Sequence, residues 1–269
     1  MGRVLSRTGP LCPVRPAYRR GPGHGPVRGV GGRGYRRGVT EYRERPARLA
    51  RAVAWTNTIT EPAAPVTVFP DGCMDLIWTE GTLLVAGPDS RAVHLPTARA
   101  REFAGLRFAP GTAPTLLGIP AVELLDRRVG LADLYGDRRA RELTERVDNA
   151  PDRVAALESI ALRFAVDAAP ADPAIPAIVD AIAAGATVSG TAALAGMSPR
   201  LLHRRALSAF GYGPKTLARI LRFQRALAAV RAGVPAAETA AVTGFADQAH
   251  LSREFRDLAG CSVRALQTR

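Results

Sequence analysis

The stretch from Gly244 to Gly260, GFADQAHLSREFRDLAG, limits what this chain can fold into more than any other. An alanine-rich run, Ala236 to Val242, precedes it with strong helix propensity and no breaker inside. Gly244 can adopt the left-handed backbone that stops a helix and turns the chain. Asp247 then stands where an N-cap belongs, ahead of Leu251, Phe255 and Leu258, whose i, i+4, i+7 spacing marks one apolar helix face. Gln248, Ser252, Arg253 and Arg256 fall on the opposite face. These residues predict a helix, a short glycine turn and a second helix with a polar, basic outer face. Such a helix-turn-helix places its second helix in the major groove of DNA.

A comparable pattern lies upstream. Val188 to Leu194 predicts a supporting helix with Gly196 as its turn, and Ser198 caps the next helix with Pro199 at its first position. Leu202, Ala206 and Phe210 face inward, while Arg200, His203 and Arg204 face out. Between the motifs, Pro214 to about Arg231 is a helix patterned by Leu217, Ile220, Leu221, Leu227 and Val230. A rod of that length spans about 27 Å. It can hold two reading helices near the ~34 Å separation of successive major-groove faces. One chain could thus read two turns of duplex, which makes a bend or a homodimer optional.

Together these residues resemble the AraC/XylS family of transcriptional regulators. Gly244-Phe245, Asp247-Gln248, Leu251-Ser252-Arg253-Glu254-Phe255-Arg256 and Gly260 with Ser262 carry the likeness to the family's second helix-turn-helix. Met197 to Arg205 and Gly211-Tyr212-Gly213-Pro214-Lys215 carry it for the first. The likeness covers roughly the last third of the chain. It implies base-facing positions at Arg200, His203 and Arg204 in the first motif, and at Gln248, Ala249, Ser252 and Arg253 in the second. The chemistry suits them: Arg donates two bonds to guanine, Gln pairs bidentately with adenine, and Ala can only touch a thymine methyl. Ser198, Lys215, Arg222, Asp247 and Arg256 are the phosphate candidates, with Ser252 and the helix N-terminal amides beside them. The chain departs from the family at Ala206, where many members carry a large aromatic, and at Val263, where proline is common. Both departures would loosen packing and leave the outer face intact.

Residues 39–166 read as a different kind of domain. Short β-prone runs at Val66–Phe69, Met74–Trp78, Thr82–Ala86, Ala92–Leu95 and Phe103–Phe108 are separated by Gly, Pro and Asp turns. Helical patterning follows at Pro114–Leu117, Ala121–Leu125 and Leu131–Tyr135, then from Arg138 to about Val166 with a break at Pro151. The segments Phe69 to Trp78, Ala86-Gly87-Pro88 and Gly105 to Gly111 resemble the sensor-side domain of one AraC-type subgroup. That resemblance implies a cupin-like β barrel that binds a small-molecule effector or dimerises, without identifying the ligand. The expected fold is therefore α+β: a small antiparallel sheet or barrel with helices, then an all-α tandem helix-turn-helix domain. The expected limits are a tail over 1–38, a sensor domain over 39–166, a Pro/Ala linker over 167–176 and a DNA-binding domain over 177–269.

Charge supports this division. Residues 1–45 carry eleven Arg against two Glu, a net +9. Residues 46–170 carry fourteen Arg against sixteen acids, a net −2. Residues 171–269 carry eleven Arg and one Lys against six acids, a net +6. The last figure coincides with the helical motifs, and a basic surface gains affinity for DNA by releasing phosphate counterions. Residues 1–38 are rich in Arg, Gly and Pro and cannot bury enough apolar surface to offset chain entropy, which predicts disorder there. No run approaches the ~18 apolar residues of a membrane span. The scattered Cys12, Cys73 and Cys261 form neither a disulfide framework nor a zinc pattern and fit a reducing cytoplasm.

The reading is a DNA-binding transcriptional regulator that needs no cofactor, with RNA polymerase as a further partner if it activates. Two rivals belong to other classes. A nonspecific nucleic-acid-binding protein acting through the basic tail would lose binding when residues 1–38 are deleted, whereas a regulator would keep its sequence preference. An enzyme would rest on Asp71, Asp75 and His94, since i and i+4 share a face of a strand. Asp71-Gly72 reads as a turn, however, and no GxSxG, HExxH, Walker A or paired-Cys pattern occurs.

Overall fold

The computed structural model describes residues 33–37, 40–60, 63–97 and 100–267. Its N-terminal part is built on antiparallel strands. These are β1 (Arg33–Arg37), β2 (Thr40–Pro46), β3 (Ala52–Ile59), β4 (Ala63–Val68), β5 (Met74–Thr79), β6 (Thr82–Ala86), β7 (Val93–Thr97), β8 (Arg101–Phe108) and β9 (Arg128–Gly130). Seven pair in the order β1-β2-β3-β8-β5-β6-β9, while β4 and β7 form a separate ribbon. The predicted strands all occur, with ends shifted by a few residues. The sheet also contains β2 and β3, which the sequence reading did not anticipate. Thr40–Pro46 is too charged to look like a strand, and it gains its place by pairing along β3, which in turn pairs along β8. Strand β1 falls inside the stretch expected to be a tail, paired so that Tyr35 faces Tyr42 across the ladder. That correction follows from backbone pairing, which composition does not register. Residues 1–32 lie outside the described ones.

The two faces of the sheet differ. One carries Leu76, Trp78, Leu83, Val85, Leu106 and Phe108. It is covered by α3 (Asp137–Asp148) and α4 (Arg153–Asp167), which contribute Leu143, Val147, Leu157 and Ile160. Ahead of them come the short helices α1 (Ala113–Leu117) and α2 (Leu131–Tyr135), separated by a 3-10 turn at Ala121–Leu124. Glu158 of α4 is buried and accepts from Arg45 Nη1 and Nη2 at 2.8 and 3.1 Å and from the Arg48 amide at 2.8 Å. These bonds, the Arg45 contact foremost, hold its carboxyl below the ordinary value.

The other face carries Tyr42, Trp55, Ile77 and Phe103 together with buried Asn57, Asp75 and Arg107. Trp55 lies flat against Gly105, where an added Cβ would fall 2.3 Å from the indole, so only glycine fits. Trp55 Nε1 donates to Asp75 Oδ1 at 2.9 Å, and Arg107 Nε lies 3.4 Å from the same oxygen. Val68 of β4 lines a small cavity with Trp55, Asp75 and Ile77, which puts the ribbon over this face.

The C-terminal part is helical: α5 (Ala174–Ala183), α6 (Val188–Leu194), α7 (Pro199–Phe210), α8 (Pro214–Arg231), α9 (Ala236–Thr243), α10 (Gln248–Ala259) and α11 (Val263–Gln267). Helix α5 starts at Ala174, inside the expected linker. Pro176 sits in its first turn, where a missing amide hydrogen costs nothing, and Asp172 Oδ1 accepts from the Ala174 amide at 2.9 Å. Leu202, Phe210, Leu217, Ile220, Phe223, Leu251 and Phe255 form the core of this part.

The two parts share that core. Phe69, from the turn after β4, is 4% exposed and packs among the C-terminal helices, 6.0 Å from the Phe223 ring and beneath the Arg231 guanidinium at 5.6 Å. Gln224 Nε2, on α8, donates to Pro70 O at 2.6 Å with both groups buried.

Candidate nucleic-acid interface

Each helix-turn-helix is assembled from local signals. In the first, Thr187 caps α6 through the Gly190 amide at 3.0 Å, and Gly196 turns the chain at φ 62°. Ser198 Oγ then accepts from the Leu201 amide at 3.2 Å, with Pro199 opening α7. In the second, Gly244 takes φ 80°, and the Phe245 amide closes back onto Ala240 O at 3.0 Å. Asp247 Oδ1 accepts from the His250 amide at 2.6 Å to start α10. The supporting helices share a register, with Thr191 and Thr239 both fully buried five residues before the turn glycine.

The inward and outward faces fall as predicted. Leu202, Ala206 and Phe210 of α7 are buried, as are Leu251, Phe255 and Leu258 of α10. Arg200, His203 and Arg204 are exposed on α7, and Gln248, Ala249, Arg253 and Arg256 on α10. Ser252 is half-buried and donates from Oγ to Gln248 O at 2.8 Å, which orients it along its own helix. Among the described residues, Arg200, Arg204 and Arg253 have no ion-pair partner, so their guanidinium groups are available to an outside acceptor. Ala206 and Val263, the departures from the family pattern, are both buried in the core.

The phosphate candidates divide. Ser198 and Lys215 are exposed at the N-terminal ends of α7 and α8. Arg222 is half-buried, with its guanidinium 4.7 Å over the Phe245 ring, and so serves to pin the second turn. Asp247 is committed as an N-cap, and its negative charge repels phosphate, which removes it from the contact set. His250 stands edge-on to Phe245 at 5.2 Å and accepts at Nδ1 from the Ala246 amide at 3.4 Å, a local structural use.

Several residues that hold the interface escaped the sequence reading. Arg219 of α8 bonds Glu254 of α10 through Nε and Nη2 at 3.1 and 2.9 Å and reaches Asp257 at 3.3 Å. That contact raises the Arg219 pKa above its ordinary value. Arg205 of α7 pairs with Asp172 at 3.0 Å. In each pair the partners are more than thirty residues apart in the chain, so no spacing rule links them.

Of the residues of the enzyme reading, Asp71 and Asp75 line one small cavity, which His94 does not reach. Asp71 accepts from the Cys73 amide within its own turn, Asp75 is held by Trp55 and lies beside Arg107, and His94 is exposed with Nδ1 at 3.0 Å from Thr67 Oγ1. Among the described residues no cluster of three His, Cys, Asp or Glu could hold a metal ion, and no helix is long and apolar enough to cross a membrane.

Residues 191–269 match the family model of a helix-turn-helix domain, and residues 46–130 match that of a domain of unknown function, DUF6597. No curated protein matches the chain. Among solved structures, a probable AraC family transcriptional regulator from Rhodopseudomonas palustris is 25% identical over 36% of this chain and 97% of its own, with a TM-score of 0.33. ToxT from Vibrio cholerae is 8% identical over 81% of this chain and 98% of its own, with a TM-score of 0.44. With the family-model match and both motifs in place, residues 191–269 are a helix-turn-helix domain of the AraC type, the DNA-binding part of a transcriptional regulator.

Proposed function

We propose that this regulator binds DNA sequence-specifically, with α7 and α10 reading two successive major-groove segments of one site. Arg200, His203 and Arg204 are the base-reading residues of the first helix, and Gln248, Ala249, Ser252 and Arg253 those of the second. Ser198, Lys215 and Arg256 are assigned to phosphate, which sets register without reading sequence. The observation that carries the reading is that two capped helices, joined through one 18-residue rod, expose arginine at equivalent positions, Arg204 and Arg253. Selection of bound fragments from random DNA with the full chain tests it. The expected result is a motif of two half-elements about one helical turn apart. A single short element, or no preference at all, would count against it.

Control by a small-molecule effector at the N-terminal domain is part of the same proposal. What supports it is the buried polar set on one sheet face, Tyr42, Asn57, Asp75 and Arg107, of which Asp75 lines a small cavity with Asp71 and Cys73 of the turn that carries Phe69 into the helical core. A ligand that reorganised this set would act on the reading helices through Phe69. A screen of small polar and amphipathic ligands by thermal shift, followed by DNA titration with each hit, checks this. Hits that stabilise the chain without changing DNA affinity would argue against effector control.

A further inference from the structure

One loop of the N-terminal domain touches both reading helices. At its start, Pro88 lies against the C-terminal end of α7. A Cβ at Gly211 would stand 2.8 Å from Pro88 Cγ and 3.1 Å from Ala121 O, and Gly211 has φ 83°, so glycine is needed there twice over. At its end, the Ala92 amide donates to Leu258 O at 2.8 Å, in the last turn of α10. That carbonyl belongs to the set that a helix leaves without an internal partner.

The loop is itself pinned. The Gly87 amide donates to Arg127 O and the Asp126 amide to Pro88 O, both at 2.9 Å. Ser90 donates from its amide and its hydroxyl to the two Asp126 carboxylate oxygens at 2.6 and 2.7 Å. Arg128 Nη2 donates to Asp89 Oδ2 at 2.6 Å in a pair whose side chains are both more than nine-tenths buried. Asp126 adopts φ 56°, a conformation that non-glycine residues rarely take, and there its carboxylate meets Ser90.

We propose that residues 87–92 position the two reading helices for each other and thereby set the spacing between the DNA half-elements that the chain accepts. This rests on the two-element reading above. Helices joined only through α8 keep a rocking freedom about that rod. A third body that touches the C-terminal end of each removes it, because the three contacts close a triangle. Asp126 is a positioning residue in this scheme, acting through Ser90 and Pro88 and touching no DNA itself.

The test uses the full chain with Asp126→Gly and Asp126→Asn. Glycine accepts the positive φ and drops the carboxylate, so the backbone survives while Ser90 is released. Asparagine tolerates the same backbone and keeps an acceptor for the Ser90 amide. In selections from random DNA, the glycine variant should keep the base preferences of each half-element but accept neighbouring spacings. Its affinity at the wild-type spacing should fall about threefold to tenfold, as expected when one preorganised arrangement becomes one of several. The asparagine variant should behave as the wild type. A glycine variant with an equally sharp spacing, or with the same loss at every spacing, overturns the inference. A wild-type chain that selects no two-part motif overturns the underlying reading, and this inference with it.

Discussion

Replacing Phe69 with alanine tests whether the two parts of the chain stand or fall together. The ring is 4% exposed, lies 6.0 Å from Phe223, and through it reaches Phe255 of α10, whose ring is 5.0 Å further on. Truncating a buried phenylalanine costs about 3–5 kcal/mol, including the cavity left behind. Phe69 enters from a turn, so Phe223 and the Arg231 stem can settle partly into the gap, and about 3 kcal/mol is the better figure. At about 2–4 °C per kcal/mol for a chain of this size, the melting temperature should fall by roughly 6–12 °C. Scanning calorimetry of the full chain is the assay, with Phe69→Leu as the partner variant that refills most of the volume. The wild type should unfold in one transition because its parts share a core. The alanine variant should show two, the helical part melting first. A shift under about 1 °C with a single unchanged transition would refute the claim that Phe69 is part of the helical core.

Other outcomes follow from contacts already described. Arg253→Ala should weaken specific binding by about 1–3 kcal/mol and relax preference at one base pair. Equal weakening on every sequence in a fluorescence titration would reassign Arg253 to phosphate. A double-mutant cycle of Arg219→Ala and Glu254→Ala should give a coupling of about 1 kcal/mol by denaturant titration, reduced by the 40% exposure of the arginine side chain, and additive single mutants would refute it. Glu158 has its folded pKa held below the ordinary 4.5, so its contribution is present above that pH and is lost as pH falls through the lower folded value. Glu158→Gln should therefore flatten the pH dependence of stability below about pH 4.5, and an unchanged acid limb in stability measured against pH would exclude this role.

The reading helices were legible in the sequence because local chemistry decides them. Ser198 and Asp247 as caps, Gly244 as a turn, and Leu251, Phe255 and Leu258 on one face are all determined within a few residues of each other. The same holds for α8, whose limits at Pro214 and Arg231 are those the pattern predicts. Strands β2 and β3 were not legible, because their stability comes from ladders to partners far along the chain and their composition is mixed. The start of α5 was missed because prolines read as a linker, although Pro176 fits a first turn. The outward residues of the interface could be named from periodicity. What fixes them in place, Arg219 to Glu254 and Ala92 to Leu258 among others, depends on side chains and backbone that meet only in the folded molecule.

The seating of Phe69 and Gln224 across the boundary has a consequence for engineering. A chimaera that grafts residues 174–269 behind an unrelated ligand-binding module would carry an empty aromatic slot beside Phe223 and a stranded carboxamide on α8. Both would face solvent or a mismatched neighbour, inviting aggregation and loosening the very helices the graft was meant to deliver. The transplantable unit is therefore the helical bundle together with the Phe69–Gly72 turn that plugs it.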